Sequence, residues 1–286
     1  MTAEGRYCRL PGGAVEAFSA TCRGSVFTRH YHETHAICLI ESGIGSFWCN
    51  GRMVEAREGS LVVIPAGDVH TGGSAGRDIL LRYSMLYIPT ALFASFHPRG
   101  RETPLSDGTG TRFTIDDPAA GSVVRRLCEA SIHSEDSLTV DSLIGSLIEC
   151  LAERSISGSA RRERPGESRA CLAVRDYIDA HYAQSIRLHT LAELVGLSPN
   201  YLVRAFREAT GLPPHAYLVQ RRVRAAAALL LEGVDTSEVA VRVGFYDQSQ
   251  LTTHFRRRVG VTPALFRASM RTGKESPRRM RRSTEL

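Results

Sequence analysis

Leu-Ala-Glu-Leu-Val-Gly-Leu-Ser-Pro-Asn-Tyr-Leu-Val-Arg-Ala-Phe, residues 191–206, leads on to Gly211. Val-Ala-Val-Arg-Val-Gly-Phe-Tyr-Asp-Gln-Ser-Gln-Leu-Thr-Thr-His-Phe, residues 239–255, leads on to Gly260. These are two copies of one pattern. Ala192 and Gly196 recur 48 positions later as Ala240 and Gly244, whereas Phe206 and Gly211 recur 49 positions later as Phe255 and Gly260, so the second copy holds one extra residue. A helix, a glycine-marked turn and a second helix, written twice, predict two helix-turn-helix units in tandem.

Each copy divides into an inner and an outer face. In the first, Leu188, Leu191, Leu194 and Val195 are expected to pack inward, and Gly196 permits the turn. Ser198 caps the second helix, with Pro199 at its first position. Leu202 and Phe206 then face the core, which leaves Asn200, Val203 and Arg204 outward. The first turns of such a helix enter the major groove, where Asn and Arg make bidentate contacts to base edges. In the second copy Val239, Ala240 and Val243 lie inside, Asp247 caps, and Leu251 and Phe255 fix the inner face. Gln248, Ser249 and Thr253, with Thr252 beside them, face out. Arg256, Arg257 and Arg258 supply charge for phosphates, which positions a protein without reading sequence. Between the copies, a long helix from Pro213 and Pro214 to Glu232 forms a rigid spacer.

Three runs of residues carry a family resemblance. They are Gly-Leu-Ser-x2-Tyr-Leu-x-Arg-x-Phe-x4-Gly, Tyr-Leu-x2-Arg-Arg-Val-x2-Ala-x2-Leu-Leu, and Gly-Phe-x-Asp-x-Ser-x-Leu-x3-Phe-x4-Gly-x-Thr-Pro-x2-Phe-Arg. Together, over about residues 188–267, they resemble the AraC/XylS transcription regulators. Leu251 and Phe266 stand where that family usually has Phe and Tyr, an exchange of one apolar residue for another. The resemblance implies a bacterial DNA-binding activator, a homodimer that works with RNA polymerase and inserts two reading helices into successive major grooves.

Charge divides the chain in the same place. Residues 1–160 hold 14 basic and 18 acidic side chains, net −4, and the remainder hold 22 and 12, net +10. A basic half joined to an acidic one implies that only the C-terminal part meets a polyanion, here double-stranded DNA. The seven cysteines form no CxxC pair and are odd in number, as expected of reduced thiols in a cytoplasmic protein. No signal peptide and no membrane span are read from the sequence.

The first half reads as β structure. Segments 36–40, 45–49, 60–64 and 79–86 are short and rich in branched or aromatic residues, and Asn50-Gly51 is a two-residue hairpin signal. Strands spaced this closely predict an antiparallel sandwich or small barrel. Gly24-x5-His30-x-His32 and Gly59-x5-Pro65-x-Gly67-x2-His70 resemble the two motifs of the cupin barrel, whose interior histidines often hold a divalent metal. On an extended strand His30 and His32 would share a face, with His70 meeting them from a neighbour. The carboxylate position of that pattern is filled by Ala36 and Ile37, His35 falls on the opposite face, and Ser74 is a poor ligand. No cofactor is therefore expected, and these three histidines are the only metal candidates. They hold an ion, line a small-molecule pocket in the barrel mouth, or cap turns; Trp48 either lines that pocket or fills the core, the more frequent fate of such a residue.

From Pro118 to Arg154 the apolar spacing is helical, with Asp117 before Pro118 as one start and Thr139 or Asp141 as a second. Its stripe packs either on the barrel or on a second copy of the chain. The expected fold is α+β in two domains. Residues 1–155 form a cupin-like antiparallel β-barrel with appended helices that senses a ligand, 156–168 a linker, and 169–270 an all-α tandem helix-turn-helix domain. Residues 271–286 are a basic tail. The expected function is that of a ligand-responsive, DNA-binding transcriptional regulator with no catalytic residues. The alternative is a metal-dependent cupin enzyme fused to a DNA-binding domain.

Overall fold

In the computed structural model, residues 4–24, 27–49, 52–96, 114–133, 136–155 and 168–271 are described. The N-terminal half is built from antiparallel strands. Strands β1 (Glu4–Arg9), β2 (Glu16–Arg23), β8 (Leu80–Pro89), β3 (Thr34–Ser42), β6 (Ser60–Ile64) and β9 (Thr114–Asp116) form one sheet in that spatial order. Strands β5 (Arg52–Arg57), β4 (Ile44–Cys49) and β7 (His70–Ser74) form a second. Cys49 pairs with Arg52, which leaves two residues between β4 and β5 as the Asn-Gly signal requires; those two lie outside the described residues. β1 and β9, which the sequence reading did not include, lie at the two edges of the larger sheet.

Period-two alternation divides the larger sheet between two cores. Ala36, Cys38, Ile40, Val62, Ile64, Met85 and Tyr87 face the barrel interior. Ile37, Leu39, Leu61, Val63, Leu86 and Ile88 face outward, yet they too are buried. They are covered by α2 (Pro118–His133) and α3 (Ser137–Ser155), through Val124, Leu127, Ile144, Leu147, Ile148 and Leu151. The helical stripe is thus spent on the sheet, which decides between the two expected partners. Asp117 starts α2 as expected, its Oδ1 accepting N–H bonds from Ala119 and Ala120 at 2.9 and 3.1 Å. The expected start of α3 at Thr139 or Asp141 is corrected to Ser137. Asp136 supplies the cap, accepting from the Thr139 N–H at 2.9 Å and the Thr139 hydroxyl at 3.0 Å. A short α1 (Thr90–Ser95) follows β8 and buries Phe93.

The C-terminal half is helical: α4 (Arg169–His181), α5 (Leu188–Leu194), α6 (Pro199–Thr210), α7 (Pro214–Leu231), α8 (Thr236–Arg242), α9 (Gln248–Val259) and α10 (Pro263–Arg271). Ser168, Ser198 and Asp247 cap α4, α6 and α9 through their side-chain oxygens. α7 runs between the two helix pairs and is about 27 Å long at about 1.5 Å per residue. Leu202, Phe206, Val239, Ala240, Val243, Leu251 and Phe255 are buried as expected. Leu188 and Leu194 are not; they are 38% and 49% exposed, because a helix of seven residues turns only Leu191 and Ala192 fully into the core. Residues 156–167 and 272–286, most of the expected linker and tail, lie outside the described residues.

The two halves touch through the ends of the second helix of each pair. Gly211 and Gly260 terminate α6 and α9 in the left-handed conformation, at φ 81° and 89°. A Cβ on Gly211 would meet Val69 at 2.7 Å, and one on Gly260 would meet Phe18 and Phe27 at 3.1 Å. Gln220 donates to the Tyr31 carbonyl at 2.9 Å, Arg224 pairs with Glu33, and the rings of Tyr7 and Phe266 lie 5.0 Å apart. Gly233, which ends α7 at φ 91°, has nothing within 4 Å of its Cβ position. Gly233→Ala should therefore cost the left-handed strain alone, about 1–2 kcal/mol in urea unfolding. Gly260→Ala should cost more, because it also pushes against two rings of the barrel. Equal losses would mean that the contact at Gly260 carries no energy.

Candidate functional site

The three histidines of the cupin-like motifs meet, though not as a strand pattern would have it. His30 and His32 precede β3 in irregular chain. An isolated antiparallel bridge brings His30 to His70, with N–H to carbonyl distances of 3.1 Å and 2.9 Å. Ring centroids lie 4.8 Å apart for His30 and His32, 4.4 Å for His30 and His70, and 5.1 Å for His32 and His70. His30 Nδ1 is 2.7 Å from the Thr28 carbonyl and His70 Nδ1 is 2.9 Å from the Asp68 carbonyl. A carbonyl oxygen only accepts, so each Nδ1 carries the proton and each Nε2 keeps its lone pair. One nitrogen from each of the three rings lies within 4.8 Å of the other two.

Burial keeps the cluster neutral. It pulls His70 down to about 4 and holds His30 and His32 well below the usual imidazole range. At His30 the nearby His70 and Arg258 charges add to burial; at His32 the other two imidazoles do so. His35 takes no part. It faces the other core, where it accepts from the Ala66 N–H at 3.2 Å and lies 4.8 Å from the Phe93 ring. Ser74 donates to the Gly76 and Ile79 carbonyls instead of turning to the cluster.

The cluster opens on a cavity of about 30 Å³ among Phe18, Phe27, Phe47, Tyr83 and Tyr87. Space of that size holds one or two waters or a single ion. Trp48 does not line it, which corrects the expectation. The alternation along β4 turns Phe47 inward and Trp48 outward, where the Arg29 guanidinium lies 3.9 Å over the indole. From the helical half, Arg258 and Val259 at the end of α9 join the lining. Arg258 is therefore not one of the outward phosphate-binding cations that the sequence reading expected. It reaches into the barrel mouth, its Nε is buried with no hydrogen-bond partner among the described residues, and burial together with Arg257 pushes its guanidinium down to about 10. The chain is pinned there by Thr28, whose N–H and hydroxyl both donate to the Arg257 carbonyl at 3.3 Å. Tyr83, its hydroxyl also buried without a partner among the described residues, shares the cavity. The run of three arginines was visible in the sequence, but its helical phase relative to a separate domain was not.

The other expected residues sit on the helical half. Asn200 and Arg204 are exposed on α6, with the Arg204 guanidinium 5.5 Å over the Tyr201 ring, and Val203 is half-buried beside them. Gln248, Ser249 and Thr253 are exposed on α9, as are Arg256 and Arg257. Among the described residues no helix is long and apolar enough to cross a membrane.

Histidines with lowered folded-state pKa values make stability depend on pH. Between about 4 and 6.5 the unfolded chain binds protons that His35 and His70 refuse, so stability falls on acidification through that window. Urea midpoints measured in chelator should drop as pH is lowered from 6.5 to 4, and less steeply in His70→Gln. A midpoint flat across that range would contradict burial of these rings.

Comparison with known proteins agrees with this arrangement. A model described as AraC-like ligand binding domain matches residues 12–148, and a helix-turn-helix domain model matches residues 191–269. The chain is 26% identical over 244 residues to the uncharacterized HTH-type transcriptional regulator YbfI of Bacillus subtilis, covering 83% of this chain and 86% of that one. It is 25% identical over 250 residues to the HTH-type transcriptional activator RhaS of Klebsiella pneumoniae, covering 84% and 87%. The fold is shared with a single-residue variant of apo ToxT from Vibrio cholerae at a TM-score of 0.58 and 11% identity, over 92% of this chain and 100% of that one. With a sensor domain in front and paired helix-turn-helix units behind, the chain belongs to the AraC/XylS family, transcriptional regulators that bind DNA through the helical half and sense a small molecule through the N-terminal half.

Proposed function

We propose that this protein is a bacterial transcriptional activator in which effector binding in the barrel and DNA reading by α9 are coupled through Arg258. The observation that carries this reading is that one helix both presents Gln248, Ser249 and Thr253 to solvent and closes the effector cavity with its last residues. In this reading Asn200, Val203 and Arg204 enter one major groove and Gln248, Ser249 and Thr253 the next, with α7 setting the separation. Arg256 and Arg257 hold phosphates. The N-terminal boundary falls near residue 155 and the DNA-binding domain begins near residue 169. Activation, a homodimer and contact with RNA polymerase are drawn from the family, and RhaS is itself named an activator. Since the apolar stripe of α2 and α3 is spent on the sheet, we place the dimer contact elsewhere on the surface. The cytoplasm is the compartment this function requires.

We infer that the protein acts by binding, not by turnover. A metal-dependent cupin enzyme needs a substrate beside its metal, and a cavity of about 30 Å³ leaves no room for one while α9 is seated.

The reading is tested at the helical face. Arg204→Ala should weaken specific binding by about 1–3 kcal/mol and relax preference at one base pair. Arg257→Ala should weaken all sequences alike and reduce the slope of log K against log salt by about 1. If both variants bind and melt as the parent does, α6 and α9 are not the reading helices.

A further inference from the structure

We propose that His30, His32 and His70 form a divalent transition-metal site, and that the ion and the seated Arg258 exclude one another. This rests on the regulator reading for its consequence, but the site stands on its own geometry.

Three features favour a metal over an organic effector. The first is the donor set: three imidazole nitrogens within 4.8 Å of one another, from residues brought together by a backbone bridge. Imidazole suits zinc, cobalt, nickel, copper and ferrous iron, and three such ligands with one open position is a familiar arrangement for zinc. Ligands about 2.0–2.1 Å from a tetrahedral ion lie about 3.3 Å apart, so the rings must draw together by about an ångström or more on binding. The second is the support behind the rings. His30 and His70 each donate Nδ1–H to a main-chain carbonyl, at 2.7 and 2.9 Å, which orients the other nitrogen and raises its basicity. The third is size. With Arg258 and Val259 in its wall, a cavity of about 30 Å³ accommodates an ion with a water. The Tyr83 hydroxyl, buried in that cavity without a partner among the described residues, is available to a water at the fourth position.

The same geometry assigns a regulatory consequence. Three neutral nitrogens leave the charge of a divalent ion uncompensated, and the carboxylate that would have balanced it is absent because Ala36 and Ile37 stand in its place. The cation that now shares the cavity is Arg258. Two cations in one buried, apolar space repel strongly. Ion binding therefore favours withdrawal of Arg258, and with it the end of α9, from the barrel. By linkage, seating of Arg258 weakens the ion to the same degree.

The test uses the full-length chain without a histidine tag, stripped with chelator and titrated with Co²⁺ by visible absorption and with Zn²⁺ by equilibrium dialysis and elemental analysis. The expected result is one ion per chain, with the absorption of a tetrahedral cobalt site. His70→Gln and His32→Gln should each lose at least about tenfold in affinity. Thermal melts in chelator establish that both variants fold; His32, half-buried, serves if His70→Gln does not. Arg258→Gln should tighten the ion about tenfold or more. Absence of a stoichiometric ion, or binding that survives in both histidine variants as adventitious coordination elsewhere, overturns the site. Unchanged affinity in Arg258→Gln overturns the exclusion. Specific DNA binding is read separately by footprinting: its absence in the parent protein would sink the regulator reading while leaving the ion count intact.

Discussion

The residues Arg257 to Gly260 sit at one physical junction. There the second helix of a helix-turn-helix pair ends, its last carbonyls must be satisfied, and a cavity lined with aromatic rings meets the helical half. The chain meets all three demands with one turn. Gly260 takes the left-handed conformation that ends α9, the Arg257 carbonyl accepts from Thr28 across the domain boundary, and Arg258 fills the opening. A guanidinium placed there has a buried Nε without a hydrogen-bond partner among the described residues, which is costly. Docking of Phe18 and Phe27 on Gly260 and of Tyr7 on Phe266 offsets that cost. Because apolar docking there opposes the burial of a charged group, a change at the cavity that adds to or relieves that cost shifts the contact.

The architecture around the junction follows from keeping the barrel interior available. The larger sheet is buried on both faces, but by different partners. α2 and α3 cover the outer face and the aromatic side chains of the inner face meet the helical half. The helical half meets the N-terminal half at the edge strand β1, through Phe266 on Tyr7, and at the ends of α6 and α9. Gln220 and Arg224, both on α7, reach Tyr31 and Glu33, so the segment holding His30 and His32 is clamped from the same side. The cavity and the second helices of the two helix-turn-helix pairs are parts of one packing problem.

Much of the helical half was legible in the sequence. Helix–turn–helix structure is local: Ser198, Asp247 and the terminal glycines act within a few residues, and an apolar period of 3.6 records which face is inside. Where this reading failed, the element was short, as in α5, where seven residues cannot bury Leu188 and Leu194 as well as Leu191. In the barrel, strand positions and the Asn-Gly turn were readable, but the face of Trp48 was not. One step along β4 exchanges inside for outside, and only pairing with β5 and β7 sets the phase.

By itself, the sequence determined two tandem helix-turn-helix units, a β-rich sensor in front of them, and three histidines at the spacing of a ligand set. Each of these is written in short-range patterns of residue type. Tertiary structure alone decided that the histidines converge through a bridge between irregular chain and β7, that the α2 and α3 stripe is spent on the sheet, and that Arg258 points into the barrel while Arg256 and Arg257 point away. Those outcomes depend on the relative placement of elements far apart in the chain, 229 residues in the case of Thr28 and Arg257. No local periodicity encodes such placement, because it is fixed by which surfaces can be buried against each other without leaving voids or stranded charge.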